Sequence, residues 1–326
     1  MPPMHSRGMD IVIPVYNEQD SLAGLVGEIF DVSAANGYAV RVVLVDDGSR
    51  DSSWERIVEL AGRDPRVGGL RFRRNSGKAA ALMAGFAVAD ADLVFMMDAD
   101  GQDPPGEIPR FLQKIDEGFD VVSGWKQRRH DPWHKVYPSR VFNAMIGALT
   151  GVRLHDHVCG FKCFRREVLR EVRIRGEFHR FLGVLAAAKG FRVTEIPTLH
   201  RPRTTGVSKY GLSRFVKGFL DLLTVWLLTR YRWRPIHVFG VAGLLAGTVG
   251  LLAWVPRLRG LLWPLPAVLA GLVILAVGVL AEWMVATGPT DELYTVTERV
   301  GWCRRAVRAE GSASAAQEPG TVNRDV

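Results

Sequence analysis

Two aspartates separated by one residue have the most chemically suggestive spacing in this sequence. Asp98 and Asp100 stand in the segment MDADGQD, directly after an apolar run of strand length. Carboxylates cannot hold a phosphate directly because both groups are negative, but a hard divalent cation can bridge them. The pair therefore predicts a site in which Mg²⁺ or Mn²⁺ holds a diphosphate.

The chain before residue 120 alternates between segments of strand length and segments of helix length. Apolar runs suited to strands are residues 9–15, 40–45, 67–72 and 93–97, and helical segments are 19–36, 52–62 and 78–89. This alternation predicts an α/β fold with a doubly wound, mostly parallel sheet. Ligands of such sheets bind at the carboxyl ends of the strands.

Three polar clusters fall at those strand ends. PVYNE follows the first strand, DDGS the second and DADGQ the fourth. A D-x-D pattern alone is common in surface turns, but its position beside two other polar clusters favours a functional site. Neither G-x-G-x-x-G nor G-x-x-x-x-G-K-[ST] occurs, so dinucleotide-binding and P-loop sites lose support.

The formal net charge of +8 is unevenly distributed along the 326 residues. Residues 1–120 carry 12 basic and 20 acidic side chains, residues 121–236 carry 23 and 7, and residues 237–326 carry 7 of each. The basic middle third predicts an anionic partner.

A hydrophobic content of 48% excludes wholesale disorder, and three cysteines are too few for a disulfide framework.

Two long apolar segments predict a transmembrane hairpin. Residues 236–255 and 260–281 contain no Asp, Glu, Lys or Arg, and each is long enough to span a hydrocarbon core about 30 Å thick. Arginines precede the first segment and follow the second, which predicts that both large ends of the chain lie in the cytoplasm. Residues 211–234 read as an amphipathic helix in the membrane interface, with packing on the catalytic domain as the alternative.

These features divide the chain into four parts. We expect a cytoplasmic catalytic domain over 1–210, a juxtamembrane helix over 211–234, a transmembrane hairpin over 235–288 and a partly disordered cytoplasmic tail over 289–326. The chain would then be a multi-pass protein of the inner (cell) membrane, with the lipid bilayer as a partner. A homo-oligomer is compatible with the sequence.

The motifs in this order resemble those of family-2 glycosyltransferases with the GT-A fold. More narrowly, they resemble the polyprenyl-phosphate glycosyltransferases, which include dolichol-phosphate mannose synthase. The matching motifs are IVIPVYNE, VDDGSRDSS, NSGKAAAL, MDADGQDPP, HDHVCGFKCFRREV and RPRTTGVSKYG. The resemblance implies inverting transfer of a hexose-type sugar from a UDP- or GDP-linked donor to a polyprenyl phosphate, for cell-envelope glycan or glycoprotein assembly.

The resemblance also assigns residues to the donor side of the site. The nucleotide-binding candidates are Pro14, Tyr16, Glu18, Val45, Asp47, Asp98, Ala99 and Gln102. The metal candidates are Asp98, Asp100 and Gln102. The family commonly has Leu before this glutamine, whereas this chain has Gly101, which adds backbone freedom.

The basic middle third contains most of the candidates for phosphate binding. Arg203, Ser208 and Lys209 lie in the segment that matches the family's phosphate-binding loop. Further candidates are Lys78, Arg128, Lys135 and Ser139. For each single basic residue, a solvated surface charge is the alternative.

The implied reaction is direct displacement at the anomeric carbon. A phosphate monoester has a second pKa of about 6, so it attacks without a strong general base. Catalysis would depend on positioning and on stabilising the departing diphosphate, for which Asp100, Arg203 and Lys209 are the candidates. Asp156 matches an acidic position before the GFK motif and is predicted to orient the acceptor or sugar, or to act as a base.

Other functions receive less support. A processive polysaccharide synthase usually has a Q-x-x-R-W motif, which is absent from this sequence. A nucleic-acid-binding protein would be expected to have aromatic platforms or a helix-turn-helix among its basic residues, so no nucleic acid is expected as partner. A degenerate transferase serving as a membrane scaffold would not need the acidic and basic candidates above.

The spacing of His155, His157, Cys159 and Cys163 does not match the usual zinc patterns, and we expect the cysteines to pack in the core.

Overall fold

A computed structural model describes residues 8–127, 133–172, 178–201, 212–231 and 295–303, with isolated helical positions between 238 and 284. Side chains are described from residue 139 in the helix that begins at 133, and from residue 217 in the helix that begins at 212. The strands are β1 (Gly8–Val15), β2 (Ala39–Asp46), β3 (Val67–Phe72), β4 (Leu93–Met96), β5 (Val121–Lys126), β6 (Lys162–Arg165), β7 (Val193–Thr198) and β8 (Val296–Gly301). The helices are α1 (Leu22–Asn36), α2 (Ser53–Arg63), α3 (Lys78–Val88), α4 (Ile108–Asp116), α5 (Trp133–Thr150), α6 (Arg166–Glu171), α7 (Leu182–Ala188) and α8 (Leu212–Arg230). Two 3-10 helices cover Pro105–Glu107 and Phe178–Phe181.

The described strands form one sheet in the order β7-β5-β6-β4-β1-β2-β3-β8. β4, β1, β2 and β3 are mutually parallel, as are β5 and β7, whereas β6 and β8 run antiparallel to their neighbours. The predicted α/β alternation over the first 100 residues is therefore confirmed. The central strands are apolar on both faces because helices cover both sides of a parallel sheet.

Small residues in α3 allow this helix to approach the sheet closely. A Cβ on Gly85 would lie 2.2 Å from Cγ1 of Val12 in β1, so a side chain at position 85 would push the helix away. Close packing fixes the position of α3, whose first residue, Lys78, lies beside the carboxyl ends of the central strands.

β8 was not predicted from the sequence. Its residues pair with β3 in register from Gly68↔Gly301 to Phe72↔Val296. A partly disordered tail is predicted over residues 289–326, whereas residues 296–301 form an edge strand of the main sheet. The segment VTERVG does not stand out as a strand in the sequence because it is short and half polar, as is common for a strand at the edge of a sheet.

The chain divides into two compact units. The first contains residues 1–140, 154–208 and 292–326, and the second contains 141–153 and 209–291. In the second unit, α8 lies within the segment 211–234, for which an amphipathic juxtamembrane helix is predicted. Leu222 and Val225 of α8 are buried, whereas Phe219 and Leu220 are exposed. Among the described residues, no helix has the length and apolar character needed to cross a membrane. The predicted hairpin over 235–288 falls almost entirely outside the described residues.

Candidate active site

The carboxyl ends of β4, β1 and β2 lie side by side and border a cavity of about 330 Å³. The residues that line it are Pro14, Val15, Tyr16, Glu18, Asp47, Asn75, Gly77, Lys78, Asp98, Ala99 and Asp100. The fold thus brings together predicted site residues from four separate motifs. Two predicted residues are not among those that line the cavity. Val45 is fully buried within β2, and Gln102 lies two residues after Asp100.

The loop after β1 is held by the loop after β2. The main-chain N–H of Asn17 donates to Ser49 Oγ at 3.0 Å, and Asn17 Oδ1 accepts from the main-chain N–H of Arg50 at 2.9 Å. Asn17 has a φ of 57°, a left-handed conformation that asparagine adopts more readily than most residues. These bonds fix the chain next to Tyr16, which is exposed at the cavity that it lines.

Asp47 connects β2 to the start of α3. Its buried carboxylate accepts the main-chain N–H groups of Ser76 at 2.6 Å and Gly77 at 3.0 Å. Burial raises the pKa of Asp47, while these two hydrogen bonds act in the opposite direction. The family resemblance predicts that Asp47 contacts the nucleotide, and that role stays a prediction; in the structure its carboxylate fixes the turn that precedes Lys78.

Lys78 forms an ion pair with Asp98 at the cavity wall. Burial alone would raise the pKa of Asp98, but the positive charges of Lys78 and Lys126 outweigh that effect and lower this pKa to about 2. Asp98 is therefore ionised at neutral pH. Lys78 directs its charge at a site carboxylate, which disfavours the alternative that it is a solvated surface lysine.

The turn after β4 brings the second carboxylate close to the first. Gly101 has a φ of 68°, so the residue that replaces the family's leucine adopts a left-handed conformation here. The main-chain N–H of Gln102 donates to Asp100 Oδ1 at 3.2 Å. Burial raises the pKa of Asp100, and the negative charge of Asp98 raises it further.

The chemistry of this turn fits a divalent cation. Asp98 and Asp100 repel each other, and a cation between them would remove that repulsion. Two carboxylates and the amide oxygen of Gln102 are the hard donors that Mg²⁺ and Mn²⁺ prefer. In the described part of the chain, no group of three or more His, Cys, Asp or Glu residues could hold a metal ion. The predicted metal ligands include only two residues of these types, Asp98 and Asp100. The remaining coordination positions would be filled by the Gln102 amide and by a bound diphosphate.

Lys126 and Asp103 form a buried ion pair that the sequence analysis missed. Lys126 Nζ lies 3.0 Å from Asp103 Oδ1, and Asp103 is only 1% exposed. Burial raises the pKa of Asp103, and Lys126 opposes that rise. Burial also disfavours the charged form of Lys126, but the carboxylates of Asp103 and Asp98 raise its pKa above the ordinary value. The available signal was the position of Lys126 directly before the basic segment that contains Arg128.

A buried lysine fixes the turn before β6. Lys162, which is 1% exposed, donates from Nζ to the carbonyl oxygen of His157 at 3.1 Å and to that of Cys159. Burial lowers the pKa of Lys162. The two bonds hold the turn in place, and Gly160 in this turn lies directly against the Asp98 carboxylate.

Asp156 lies buried at the base of the same turn. Its Oδ1 accepts the main-chain N–H of Val158 at 3.2 Å, and its own N–H donates to Glu195 Oε2 at 3.3 Å. It is 1% exposed. These bonds show that Asp156 shapes the turn, whereas its role toward acceptor or sugar stays a prediction.

His179 is a second group that the sequence analysis missed. It is buried in the 3-10 helix Phe178–Phe181, and its Nδ1 has no hydrogen-bond partner among the described residues. Burial lowers the pKa of His179 well below the ordinary value, and the charge of Lys78 adds to this effect. The imidazole is therefore neutral at pH 7. No motif or spacing in the sequence points to this residue.

Most residues predicted to bind the acceptor phosphate lie outside the described residues. These are Arg128, Arg203, Ser208 and Lys209. Lys135 belongs to α5, but its side chain also lies outside the described part, whereas Ser139 is a partly buried residue of α5. The phosphate-binding set therefore stays a prediction.

The cysteines near this site pack in the core, as predicted. Cys159 and Cys163 are buried free thiols among the hydrophobic residues that surround the sheet. Burial raises the pKa of Cys159 to about 12, so its thiol stays protonated at neutral pH.

Comparison with solved structures supports the fold assignment. The chain is similar to glucosyl-3-phosphoglycerate synthase from Mycobacterium tuberculosis, crystallised with Mn²⁺, UDP-glucose and phosphoglyceric acid. The TM-score is 0.52 at 17% identity, over 69% of this chain and 80% of that chain. Mannosyl-3-phosphoglycerate synthase from Rubrobacter xylanophilus gives a TM-score of 0.53 at 17% identity, over 70% of this chain and 76% of that chain. At this identity the likeness establishes a GT-A-like α/β fold.

Sequence comparison establishes the family. The chain is 35% identical to a dodecaprenyl-phosphate galacturonate synthase from Rhizobium johnstonii, over 77% of this chain and 75% of that protein. It is 39% identical to an undecaprenyl-phosphate 4-deoxy-4-formamido-L-arabinose transferase from Edwardsiella ictaluri, over 73% of each protein. The model of glycosyl transferase family 2 matches residues 10–173, which hold the strand ends, the paired aspartates and Gly160. With this match and these relatives, the chain belongs to glycosyl transferase family 2.

Proposed function

We propose that this chain transfers a hexose-type sugar from a UDP- or GDP-linked donor to a polyprenyl phosphate, with inversion at the anomeric carbon. The relatives named above act on dodecaprenyl and undecaprenyl phosphate, which supports this acceptor class. The observation that carries the proposal is the convergence of Lys78, Asp98 and Asp100 on one cavity at the strand ends. The product would be a lipid-linked sugar donor for cell-envelope glycan or glycoprotein assembly.

The donor would bind along the carboxyl ends of β1, β2 and β4. Tyr16 and Asp47 line the part of the cavity formed by β1 and β2, where we place the base and ribose. Asp98, Asp100 and Gln102 would hold Mg²⁺ or Mn²⁺ against the diphosphate. When bound, the cation supplies positive charge that stabilises the departing nucleoside diphosphate.

The acceptor phosphate is its own nucleophile. One of its oxygens forms a bond to the anomeric carbon while the bond from that carbon to the diphosphate oxygen breaks. Both electrons of the broken bond leave with the nucleoside diphosphate. Because a phosphate monoester is largely dianionic at neutral pH, no strong base is required. Catalysis would depend on holding the two anions in line and on offsetting their charge with Lys78 and with the predicted Arg203 and Lys209.

We further propose that the catalytic unit stays on the cytoplasmic side of the inner membrane. β3 and β8 are hydrogen-bonded neighbours in one sheet, although residues 73–295 separate them in sequence. A chain that leaves a folded unit through a membrane and then rejoins it must cross an even number of times. This supports the predicted hairpin of two spans over 235–288. Exposed Phe219 and Leu220 in α8 suit a helix that contacts lipid.

A transfer assay tests the main proposal. The purified full-length protein in detergent is incubated with polyprenyl phosphate and a panel of UDP- and GDP-sugars, with Mn²⁺, Mg²⁺ or EDTA. We expect a lipid-linked sugar from at least one donor, formed only with a divalent cation. Absence of any lipid product would reject the proposal. Persistent activity of Asp100→Ala, with exposed Asp116→Ala as the control, would reject the metal role alone.

A further inference from the structure

Residue 201 contacts the turn that follows the paired aspartates through its main chain. The N–H of Arg201 donates to the carbonyl oxygen of Gln102 at 3.0 Å. In return, the side-chain amide of Gln102 donates from Nε2 to the carbonyl oxygen of Arg201 at 3.2 Å. Two segments that are 99 residues apart in sequence are therefore joined by a reciprocal pair of hydrogen bonds.

This pair determines which atom of the Gln102 amide is available. A carboxamide has an NH₂ group that donates and an oxygen that accepts, and only the oxygen can bind a cation. Because Nε2 is bonded to the carbonyl of Arg201, the amide cannot exchange its two ends without losing that bond. With Nε2 bonded to Arg201, Oε1 is the end of the amide that could serve as a ligand.

The side chain of Arg201 anchors this main-chain segment to α1. Its Nη1 and Nη2 bond the two carboxylate oxygens of Glu28 at 2.7 Å and 2.8 Å, which is the matched geometry of a bidentate pair. The bond to Glu28 raises the pKa of Arg201 above its ordinary value. Side-chain exposures of 49% and 33% mean that the pair adds little to global stability. Its effect is local: it fixes the position of the carbonyl to which Gln102 is bonded.

We propose that Glu28 and Arg201 are positioning residues that orient the carboxamide oxygen of Gln102 toward the divalent cation. This inference rests on the proposed function in taking Gln102 as a cation ligand. It predicts that a surface ion pair between α1 and the segment after β7 controls metal affinity without either partner touching the metal. Residues that orient metal ligands in this way commonly change metal affinity when they are replaced.

Direct metal binding provides the test. Free Mn²⁺ is measured by electron paramagnetic resonance during titration of the full-length protein with UDP present. We expect Arg201→Ala and Glu28→Ala each to weaken Mn²⁺ binding about tenfold. Their thermal unfolding without metal should match that of the wild type. Glu117→Ala, which removes an exposed ion pair with Lys114 on α4, serves as the matched control and should leave binding unchanged.

A charge-swapped protein adds a second criterion. Glu28→Arg combined with Arg201→Glu re-forms the pair in reverse and should recover most of the lost Mn²⁺ affinity. Unchanged Mn²⁺ binding in Arg201→Ala, or no recovery in the swapped protein, would overturn the positioning role. Asp100→Ala is measured in parallel to separate the two proposals. If Asp100→Ala also binds Mn²⁺ normally, the metal site itself fails; if only Asp100→Ala loses binding, the metal site stands and the positioning role fails.

Discussion

The carboxylate of Asp98 occupies the space that a side chain on Gly160 would need. A Cβ on Gly160 would lie 2.4 Å from Asp98 Oδ2 and 2.6 Å from its Cγ, distances that real contacts do not reach. Gly160 belongs to the turn that Lys162 holds through two carbonyl oxygens. The absence of one side chain therefore allows the turn before β6 to close against the acidic residue at the end of β4.

Replacing this glycine should displace the carboxylate. We expect Gly160→Ala to lower transferase activity about a hundredfold, since a misplacement of about 1 Å in a site can have that effect. Mn²⁺ binding should weaken in parallel. Gly62→Ala is the control, because a Cβ on Gly62 in α2 meets nothing within 4 Å. Wild-type activity in Gly160→Ala would show that Asp98 tolerates the shift and would contradict this prediction.

The buried pair of Lys126 and Asp103 should be sensitive to loss of one partner. Lys126→Met leaves the Asp103 carboxylate buried without its counter-charge, which should lower the free energy of unfolding by about 3–5 kcal/mol. Adding Asp103→Asn removes the uncompensated charge and should restore part of that loss. Urea unfolding of the two single variants and the double variant measures the coupling. Strict additivity would show that the two groups do not interact.

Asp156 should be required as a carboxylate. Its charge lies close enough to Lys162 to favour the charged form of that buried lysine. We expect Asp156→Asn to fold normally, because an asparagine oxygen can still accept the Val158 N–H. Turnover should fall about a hundredfold, because losing a group that orients the acceptor or sugar can misplace the reacting atoms by about 1 Å. Steady-state assays compare the turnover of Asp156→Asn with that of the wild type and of the control Asp116→Asn, which changes an exposed aspartate. Near-normal turnover would remove Asp156 from the catalytic residues.

His157 should make the folded state sensitive to mild acid. Burial lowers the pKa of His157 from 6.5 to about 4, so the unfolded chain takes up a proton at a higher pH than the folded chain. Stability is then complete above about pH 6.5 and falls as the pH drops toward 4, by up to about 3 kcal/mol. Replacement by asparagine should flatten this part of the pH profile, measured by urea unfolding between pH 7.5 and 5. An unchanged slope in His157→Asn would assign the sensitivity to other groups, such as His179.

Glu298 in β8 should stabilise the catalytic unit. Its carboxylate accepts from Trp54 Nε1 at 3.1 Å and from Arg71 Nη1 at 3.0 Å, which ties the edge strand to α2 and β3. We expect Glu298→Ala to reduce the free energy of unfolding by about 1–3 kcal/mol, because the largely buried indole loses its partner. Thermal unfolding of the full-length variant provides the measurement. An unchanged midpoint would mean that strand pairing alone holds β8.

Much of the donor side could be predicted because its determinants are local. Asp98 and Asp100 follow an apolar strand directly, and Asp47 follows another, so reading the strands was enough to place these residues at one edge of the sheet. The cavity that joins them to Lys78 confirms that placement. Lys126 was missed because its position before a basic segment resembles that of an ordinary charged residue at a strand end. His179 was missed because nothing in the sequence of its short helix marks it.

The sequence by itself determined the α/β architecture, the family and the acidic strand ends, since each depends on hydrophobic periodicity or on motifs of a few adjacent residues. Only the tertiary structure decided which distant residues meet. β6 inserts between β4 and β5 and so brings Gly160 to Asp98. The chain after β7 returns to Gln102. β8 pairs with β3, a strand that precedes it in sequence by more than two hundred residues. Such contacts depend on strand order and close packing, which no local pattern encodes.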